Sequence, residues 1–285
     1  MEKRKWYIEQ LTAPALMHRN ATKFGDHICQ MFKGEDGEVK QLTYSQVYRI
    51  VKELSSGLID MGFKKGDRAA IMCNTAPQWM WSDYAILCAG GITVCIYPTL
   101  SERELEFILE DSGTTVLFVE NEDVLAKAKN VCKPSNKKVK VKTIVVMKDH
   151  FEDKDKRVTD FASLREKGVA LLARDKMIFE DRWRSVDFKD YMTIVYTSGT
   201  TGNPKGAVHT HFSWAAAVVR DCTVVGYSGA DQGDLFLSFL PMSHTYEREC
   251  GHGASMLAAI PNAYSSPKTL VEDLKLFKPT IFMSV

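Results

Sequence analysis

The sequence lacks an excess of charge of either sign, a long apolar run and any pair of cysteines at C-x-x-C spacing. Its 37 basic and 36 acidic residues give a net charge of +1, whereas nucleic-acid binders usually carry a strong basic excess. The longest apolar run, near 85–97, is interrupted by two glycines and is too short for a membrane span of about 20 residues. We therefore expect neither a nucleic-acid partner nor a transmembrane segment.

The seven cysteines are odd in number, and most stand among apolar neighbours. This usage is typical of buried, reduced thiols in the cytosol. The N-terminal residues have no apolar signal core, so a cytoplasmic location is expected. Peripheral membrane contact stays open, although no strongly amphipathic basic helix favours it.

Short apolar strands alternate with amphipathic helical segments along most of the 285 residues. Two capping boxes, Thr43 with Gln46 and Ser101 with Glu104, mark the starts of helices. The alternation predicts an α/β fold with layered, parallel-rich sheets flanked by helices. Strand candidates lie at 69–73, 93–97, 115–119, 143–147, 192–196, 235–240 and 281–285.

The most informative segment is a glycine- and threonine-rich loop at 197–206. It holds three Gly, three Thr, one Ser and one Lys, and it follows an apolar strand. Glycines let backbone N–H groups curl around an anion, hydroxyls add donors and can ligate Mg²⁺, and a lysine adds charge with flexible reach. This composition predicts a phosphate-binding loop.

Neither common phosphate-binding fingerprint fits this loop. Pro204 stands where a P-loop needs its second glycine, and G-x-G-x-x-G is absent here. A zinc site is not favoured either. His209 and His211 alternate along a predicted strand and would share a face, but no cysteine or carboxylate stands near them in the sequence.

The stretch Tyr196–Gly206, YTSGTTGNPKG, resembles the signature loop of the adenylate-forming (AMP-binding) superfamily at nearly all of its eleven positions. Segments 42–47 and 89–105 are similar to earlier motifs of that family. The superfamily includes acyl-CoA synthetases, firefly luciferase and the adenylation domains of peptide synthetases. The resemblance runs along almost the whole chain and implies the fold of the family's N-terminal domain.

A second motif, LPMSHTYER at 240–248, resembles the L-P-L-x-H-x-x-E-R pattern of long-chain fatty acyl-CoA synthetases. Taken alone, His244 is more often a structural or helix-capping histidine than a functional one. The resemblance implies that His244 and Thr245 belong to the substrate pocket. Arg248 stands about where some long-chain enzymes carry a tryptophan that gates the acyl tunnel, so no such gate is implied here.

The resemblance implies a two-step reaction. A carboxylic acid, here a long-chain fatty acid, attacks the α-phosphorus of ATP to form an acyl-adenylate and pyrophosphate, and the thiol of coenzyme A then takes the acyl group. Thr200 is the expected Mg²⁺ contact and Lys205 the expected phosphate contact, which makes these two the predicted catalytic residues. The predicted ATP-binding residues are Thr197, Ser198, Gly199, Thr200, Thr201, Gly202, Lys205 and Gly206.

Several parts of the family pattern do not occur in the sequence. The chain contains neither a Y-G-x-T-E nor a T-G-D segment, and no segment resembles the C-terminal lid domain. We therefore expect residues 1–285 to be a partial N-terminal AMP-binding domain, inactive without the C-terminal part of the same enzyme. Two alternatives stay open. One is a split or degenerate module that binds nucleotide or an acyl partner without catalysis. The other is a different adenylate-forming enzyme, such as an aryl-CoA ligase or a peptide-synthetase adenylation domain.

Overall fold

The fold, seen in a computed structural model that describes residues 12–34, 36–197, 203–227, 229 and 233–284, contains two mostly parallel sheets. The larger sheet has seven strands in the order β7-β6-β5-β3-β4-β8-β9. Its strands are β3 (Arg68–Met72), β4 (Ile92–Ile96), β5 (Val116–Val119), β6 (Thr143–Val146), β7 (Val158–Asp160), β8 (Tyr191–Thr197) and β9 (Lys205–Thr210).

The smaller sheet has five strands in the order β12-β10-β11-β1-β2. They are β1 (Ile28–Lys33), β2 (Val39–Thr43), β10 (Phe236–Ser238), β11 (Asn262–Tyr264) and β12 (Ile281–Phe282). Only the pairs β1–β2 and β8–β9 are antiparallel within the described parts of these sheets. The predicted parallel-rich α/β architecture is therefore confirmed.

Helices cover the sheets. The α-helices are α1 (Ala13–Lys23), α2 (Tyr44–Asp60), α3 (Pro77–Cys88), α4 (Glu102–Ser112), α5 (Glu122–Val131), α6 (Phe161–Arg174), α7 (Ile178–Arg184), α8 (His211–Val225), α9 (Ala254–Ala258) and α10 (Leu270–Phe277). A π-helix spans Glu247–Gly253 and runs directly into α9. None of the helices in the described segments has the length and apolar character that crossing a bilayer requires.

The central strands of the larger sheet are buried on both faces, as parallel strands between helical layers must be. Alternate residues enter two separate apolar cores. Ile71 and Phe118 belong to the core that also contains residues of α2, α3 and α6. Met72 and Leu117 belong to the core that contains residues of α4 and α5. The period of two along each strand explains how one short apolar run serves both layers.

Both predicted capping boxes are present. Thr43 Oγ1 accepts from the Gln46 amide at 3.3 Å, and Ser101 Oγ accepts from the Glu104 amide at 3.3 Å. The predicted buried thiols are confirmed for six of the seven cysteines, while Cys250 is half-buried. A strand was predicted at 281–285. In the described residues the observed strand, β12, is shorter and contains two residues.

Candidate functional site

The glycine- and threonine-rich segment joins two antiparallel strands at one edge of the larger sheet. β8 runs parallel to β4, so its last residue lies at the same edge as the carboxyl ends of β3–β6. Ligands of open α/β sheets bind at this edge. Five predicted binding residues fall outside the described residues, and their roles therefore stay predictions. They are Ser198, Gly199, Thr200, Thr201 and Gly202.

The mouth of this hairpin is described, and it holds the other predicted residues. Thr197 on β8 faces Lys205 on β9 as a cross-strand pair, and both are exposed. Among the described residues, Lys205 forms no ion pair within 4.0 Å. Gly206 follows, opposite Tyr196. An exposed ammonium group at the carboxyl edge of a parallel sheet can bind an anionic ligand without first breaking an internal ion pair.

The segment around His244 reaches the same edge from the smaller sheet. The Thr75 hydroxyl, which follows β3, donates to the Leu240 carbonyl at 2.5 Å. The Ser243 hydroxyl donates to the carbonyl of Ile96, the last residue of β4, at 3.2 Å. Since β4 pairs with β8, these bonds bring the two sequence motifs to one edge of the larger sheet.

His244 occupies the start of the helical segment that continues into the π-helix. Its Nδ1 atom accepts from the Tyr246 amide at 3.1 Å, and its carbonyl accepts from the Arg248 amide at 3.1 Å. The residue is exposed, and Thr245 beside it is half-buried. His244 thus has the helix-capping role that was considered from the sequence. The hydrogen bond accepted by Nδ1 fixes the orientation of its ring.

Arg248, one turn later, is buried in a polar network that links the π-helix to α3 and to the larger sheet. Its Nη2 atom lies 2.6 Å from Asp83 Oδ1 on α3, and its guanidinium lies 5.4 Å from the Trp79 ring centre. Nη1 donates to the Thr193 hydroxyl on β8, which in turn donates to the Thr93 carbonyl on β4 at 2.7 Å. Arg248 and Asp83 side chains are each 3% exposed.

This network was missed from the sequence. Nothing local distinguishes Asp83 or Thr193 from other polar residues in a helix or a strand. The only sequence signal was the Glu-Arg pair at the end of the 240–248 motif. The structure shows that this arginine connects the helical segment after His244 to β8, the strand that leads into the hairpin.

Glu247 is also buried, with only one of its carboxylate oxygens hydrogen-bonded among the described residues. The Ser238 hydroxyl donates to Oε1 at 2.5 Å, while Oε2 has no partner there. Burial raises the pKa of Glu247 to about 7, opposed by that hydrogen bond. Burial lowers the pKa of the nearby His252 to about 3, and the charge of Arg248 acts in the same direction.

Two open clefts border the carboxyl edge. One, of about 740 Å³, lies between α4 and the outgoing end of the hairpin and is lined by Arg103, Lys138 and Pro204 among others. The larger, of about 1000 Å³, is lined by residues that follow β3, β6 and β11, including Thr75 and Met147. No residue of the hairpin mouth lines the larger cleft.

Metal-binding side chains do not cluster in the described parts of the chain, where no group of three His, Cys, Asp or Glu residues could hold an ion. His209 Nδ1 lies 3.7 Å from Glu249. His211 does not continue the strand, as the sequence had suggested, because β9 ends at Thr210 and His211 begins α8. Its Nδ1 atom accepts from the Ala13 amide at 3.2 Å, and burial lowers its pKa to about 4.

The sequence profile of the AMP-binding enzyme family matches residues 17–285 of the chain. The chain belongs to this family. The resemblance seen in the hairpin and in the 240–248 motif is thereby confirmed at the level of the family.

Curated relatives of the family carry names of long-chain acyl ligases. The long-chain-fatty-acid–CoA ligase ACSBG2 of Rattus norvegicus is 27% identical in an alignment of 285 positions that covers 96% of this chain and 41% of the relative. Long chain acyl-CoA synthetase 4 of Arabidopsis thaliana is 30% identical in an alignment of 270 positions that covers 90% of this chain and 38% of the relative. The chain thus spans about two fifths of the length of these relatives.

Solved structures of the family share the fold. A long-chain-fatty-acid–CoA ligase, FadD1, from Archaeoglobus fulgidus has a TM-score of 0.78 and 20% identity, over 98% of this chain and 52% of that one. The anthranilate CoA ligase AuaEII, solved with anthranoyl-AMP, has a TM-score of 0.76 and 19% identity, over 97% of this chain and 51% of that one. At these identities the similarity shows the fold alone.

Proposed function

We propose that this chain is the N-terminal portion of an ATP-dependent acid–thiol ligase, and that the hairpin between β8 and β9 binds the phosphate chain of ATP. The observation that carries the proposal is the exposed pair Thr197 and Lys205 at the carboxyl edge of the larger sheet. The residues between them are rich in glycine and hydroxyl groups, which suit phosphate oxygens. Pyrophosphate departure places charge on these oxygens, and fixed donors with a lysine stabilise it.

Magnesium is part of this proposal. A threonine hydroxyl is an oxygen ligand of the kind that Mg²⁺ accepts, and Thr200 is the residue that we assign to it. Bound with ATP, the ion would neutralise part of the phosphate charge. Lys205 would bind a phosphate oxygen directly, and Thr197 and Gly206 would form the mouth of the site.

We propose a fatty acid, most specifically a long-chain one, as the carboxylic acid, with coenzyme A as the acyl acceptor. The printed names of the relatives and the 240–248 motif support this choice. His244 and Thr245 would face the acid, since their segment is attached to the carboxyl ends of β3 and β4. The lid domain would lie in a further part of the protein, which the greater length of the relatives supports.

The test of nucleotide binding is calorimetric titration of MgATP and of magnesium pyrophosphate into the 285-residue chain. We expect binding, and we expect Lys205→Met to weaken it by about ten-fold or more through loss of a charge-assisted hydrogen bond. Because Lys205 is exposed, the unfolding free energy of the Lys205→Met variant should differ from that of the parent chain by less than about 0.5 kcal/mol. Lys189→Met, which changes an exposed lysine two residues before the start of β8, is the matched control. Absence of binding by the parent chain, or equal binding by both variants, contradicts the proposal.

Catalysis needs a separate measurement. In an ATP–pyrophosphate exchange assay with fatty and aryl acids, the 285-residue chain should show no exchange, because the sequence holds neither the Y-G-x-T-E nor the T-G-D segment. Exchange by this chain would show that it adenylates alone. In the longer protein, a preference for aryl acids would identify the other ligase class.

A further inference from the structure

Tyr196, the residue directly before the hairpin mouth, lies across both strands of the hairpin. It is 8% exposed and pairs with Gly206 on β9. A Cβ atom added to Gly206 would stand 3.2 Å from Cζ of Tyr196 and 2.8 Å from Cγ2 of Ile194. The missing side chain at Gly206 therefore lets the tyrosine ring lie against the β9 backbone, as aromatic residues do over glycine in sheets.

The hydroxyl of Tyr196 makes a second connection, to the helix beside the hairpin. It donates to Asp111 Oδ2 in the last turn of α4 at 2.6 Å. Burial and the Asp111 carboxylate both raise the pKa of Tyr196, so the hydroxyl keeps its proton at neutral pH. The same helix lines the cleft that Asn203 and Pro204 border. One side chain thus joins the strand before the loop, the strand after it and α4.

We propose that Tyr196 is a positioning residue, which through Gly206 and Asp111 holds Thr197 and Lys205 at the separation that binds phosphate. The identity of the ligand rests on the proposed function, whereas the clamp itself rests on the contacts of Tyr196. Holding Thr197 and Lys205 in place before a ligand binds reduces the entropic cost of binding.

If Tyr196 had only a packing role, its ring alone would be sufficient. The Tyr196→Phe variant separates packing from positioning, because it retains the ring over Gly206 and removes only the hydrogen bond from the hydroxyl to α4. Asp111→Ala removes the same link from the other side. Asp111→Asn keeps an oxygen that accepts the hydroxyl proton, and it serves as the conservative rescue. Tyr191→Phe alters an exposed tyrosine at the far end of β8 and is the matched control.

The decisive experiment is amide hydrogen exchange on the 285-residue chain without ligand, read at Thr197 and at Lys205–Ala207. We expect Tyr196→Phe and Asp111→Ala each to accelerate exchange there by about ten-fold, as loss of one charge-assisted hydrogen bond predicts. The double variant should be no faster than either single one, because both remove the same bond. Asp111→Asn, which keeps a neutral acceptor, should accelerate exchange less than Asp111→Ala does, and Tyr191→Phe should match the parent chain.

Titration with magnesium pyrophosphate completes the test. The two clamp-breaking variants should bind several-fold more weakly than Tyr191→Phe. Unchanged exchange at the hairpin, acceleration spread over the whole larger sheet, or faster exchange with unchanged binding would each overturn the proposal. If the parent chain binds neither MgATP nor pyrophosphate, the proposed function fails, while the exchange rates still decide whether the clamp exists.

Discussion

Lys205 and Arg248 are two basic residues of the two family-like motifs, and the fold treats them in opposite ways. Lys205 is exposed at the mouth of the hairpin and has no ion-pair partner within the described part of the chain. Arg248 is 3% exposed and pairs with Asp83, while it also donates to Thr193. Both motifs meet at the same edge of the larger sheet, yet only one of these cations is available to a ligand.

The difference teaches that a basic residue inside a signature motif need not contact substrate. Within the part of the chain that the structure describes, no ion pair neutralises the exposed charge of Lys205 at the hairpin mouth. In the segment after His244, the charge of Arg248 is used in internal contacts with Asp83 and Thr193. These contacts set the position of the 240–248 motif relative to the hairpin. Substitutions in the two regions should therefore separate binding from stability.

The largest effect is expected from Arg248→Met. Removing the guanidinium leaves the buried Asp83 carboxylate without a charged partner, although the Thr93 hydroxyl still donates to it. The loss of such a buried ion pair costs about 3–5 kcal/mol of unfolding free energy. Urea denaturation measures this loss. Arg220→Met is the matched control, because Arg220 pairs with Asp221 while 65% exposed, and solvent screens an exposed pair of this kind so that it contributes little to stability. The double variant Asp83→Asn with Arg248→Met should recover part of the loss. If the Arg248 and Arg220 variants lost equal unfolding free energy, the buried arginine would contribute no more to stability than an exposed one, which would contradict the prediction.

A smaller, pH-dependent effect is expected from Glu247→Gln. The pKa of Glu247 is raised by burial to about 7 in the folded chain, against about 4.3 when unfolded. The neutral carboxyl is therefore favoured in the fold, and its contribution to stability is present below pH 4.3 and lost as pH rises to 7. Between pH 4.3 and pH 7, the unfolding free energy of the parent chain should therefore fall by about 3 kcal/mol relative to that of the Glu247→Gln variant.

Unfolding free energies at several pH values between 4.5 and 8 measure this difference. Glu166→Gln, at an exposed position of α6, is the control and should follow the parent profile. A Glu247→Gln variant whose stability runs parallel to the parent at all pH values would show that Glu247 is ionised in the fold.

The smallest effect is expected from Ser101→Ala, which removes a local cap of α4. The hydroxyl accepts from the Glu104 amide, and loss of such a cap costs about 1 kcal/mol. Chemical denaturation measures it, with Ser45→Ala in the exposed first turn of α2 as the control, expected within about 0.5 kcal/mol of the parent. A loss as large as that of Arg248→Met would mean that local caps and buried networks contribute alike.

Local signals were read well from the sequence. The capping boxes at Thr43 and Ser101 depend on residues three positions apart, and the central strands are continuous apolar runs that only a doubly buried strand explains. The β1–β2 hairpin was missed because β2 has no buried residue and shows no alternation of buried and exposed positions. The predicted strand at 235–240 contains β10. The short strand β11 was missed, because its pairing depends on distant partners and three residues carry little periodic signal.

Close packing between helices was equally invisible. A Cβ atom on Gly168 of α6 would stand 1.8 Å from the Glu53 carbonyl of α2. Two helices approach so closely only because no side chain separates them there. In the sequence, Gly168 is simply a glycine within a helical pattern, which by itself predicts a weaker helix.

The family motif of the hairpin and the alternation of strands and helices could be recognised from the amino-acid sequence alone. Glycines, hydroxyls and a lysine act within a few residues of one another, and short-range patterns therefore carry this information. Three features depend on the tertiary structure. Arg248 is buried against Asp83, burial raises the pKa of Glu247, and Tyr196 connects β8, Gly206 and Asp111. These roles depend on partners 9 to 165 residues away, and on burial that no single segment can create.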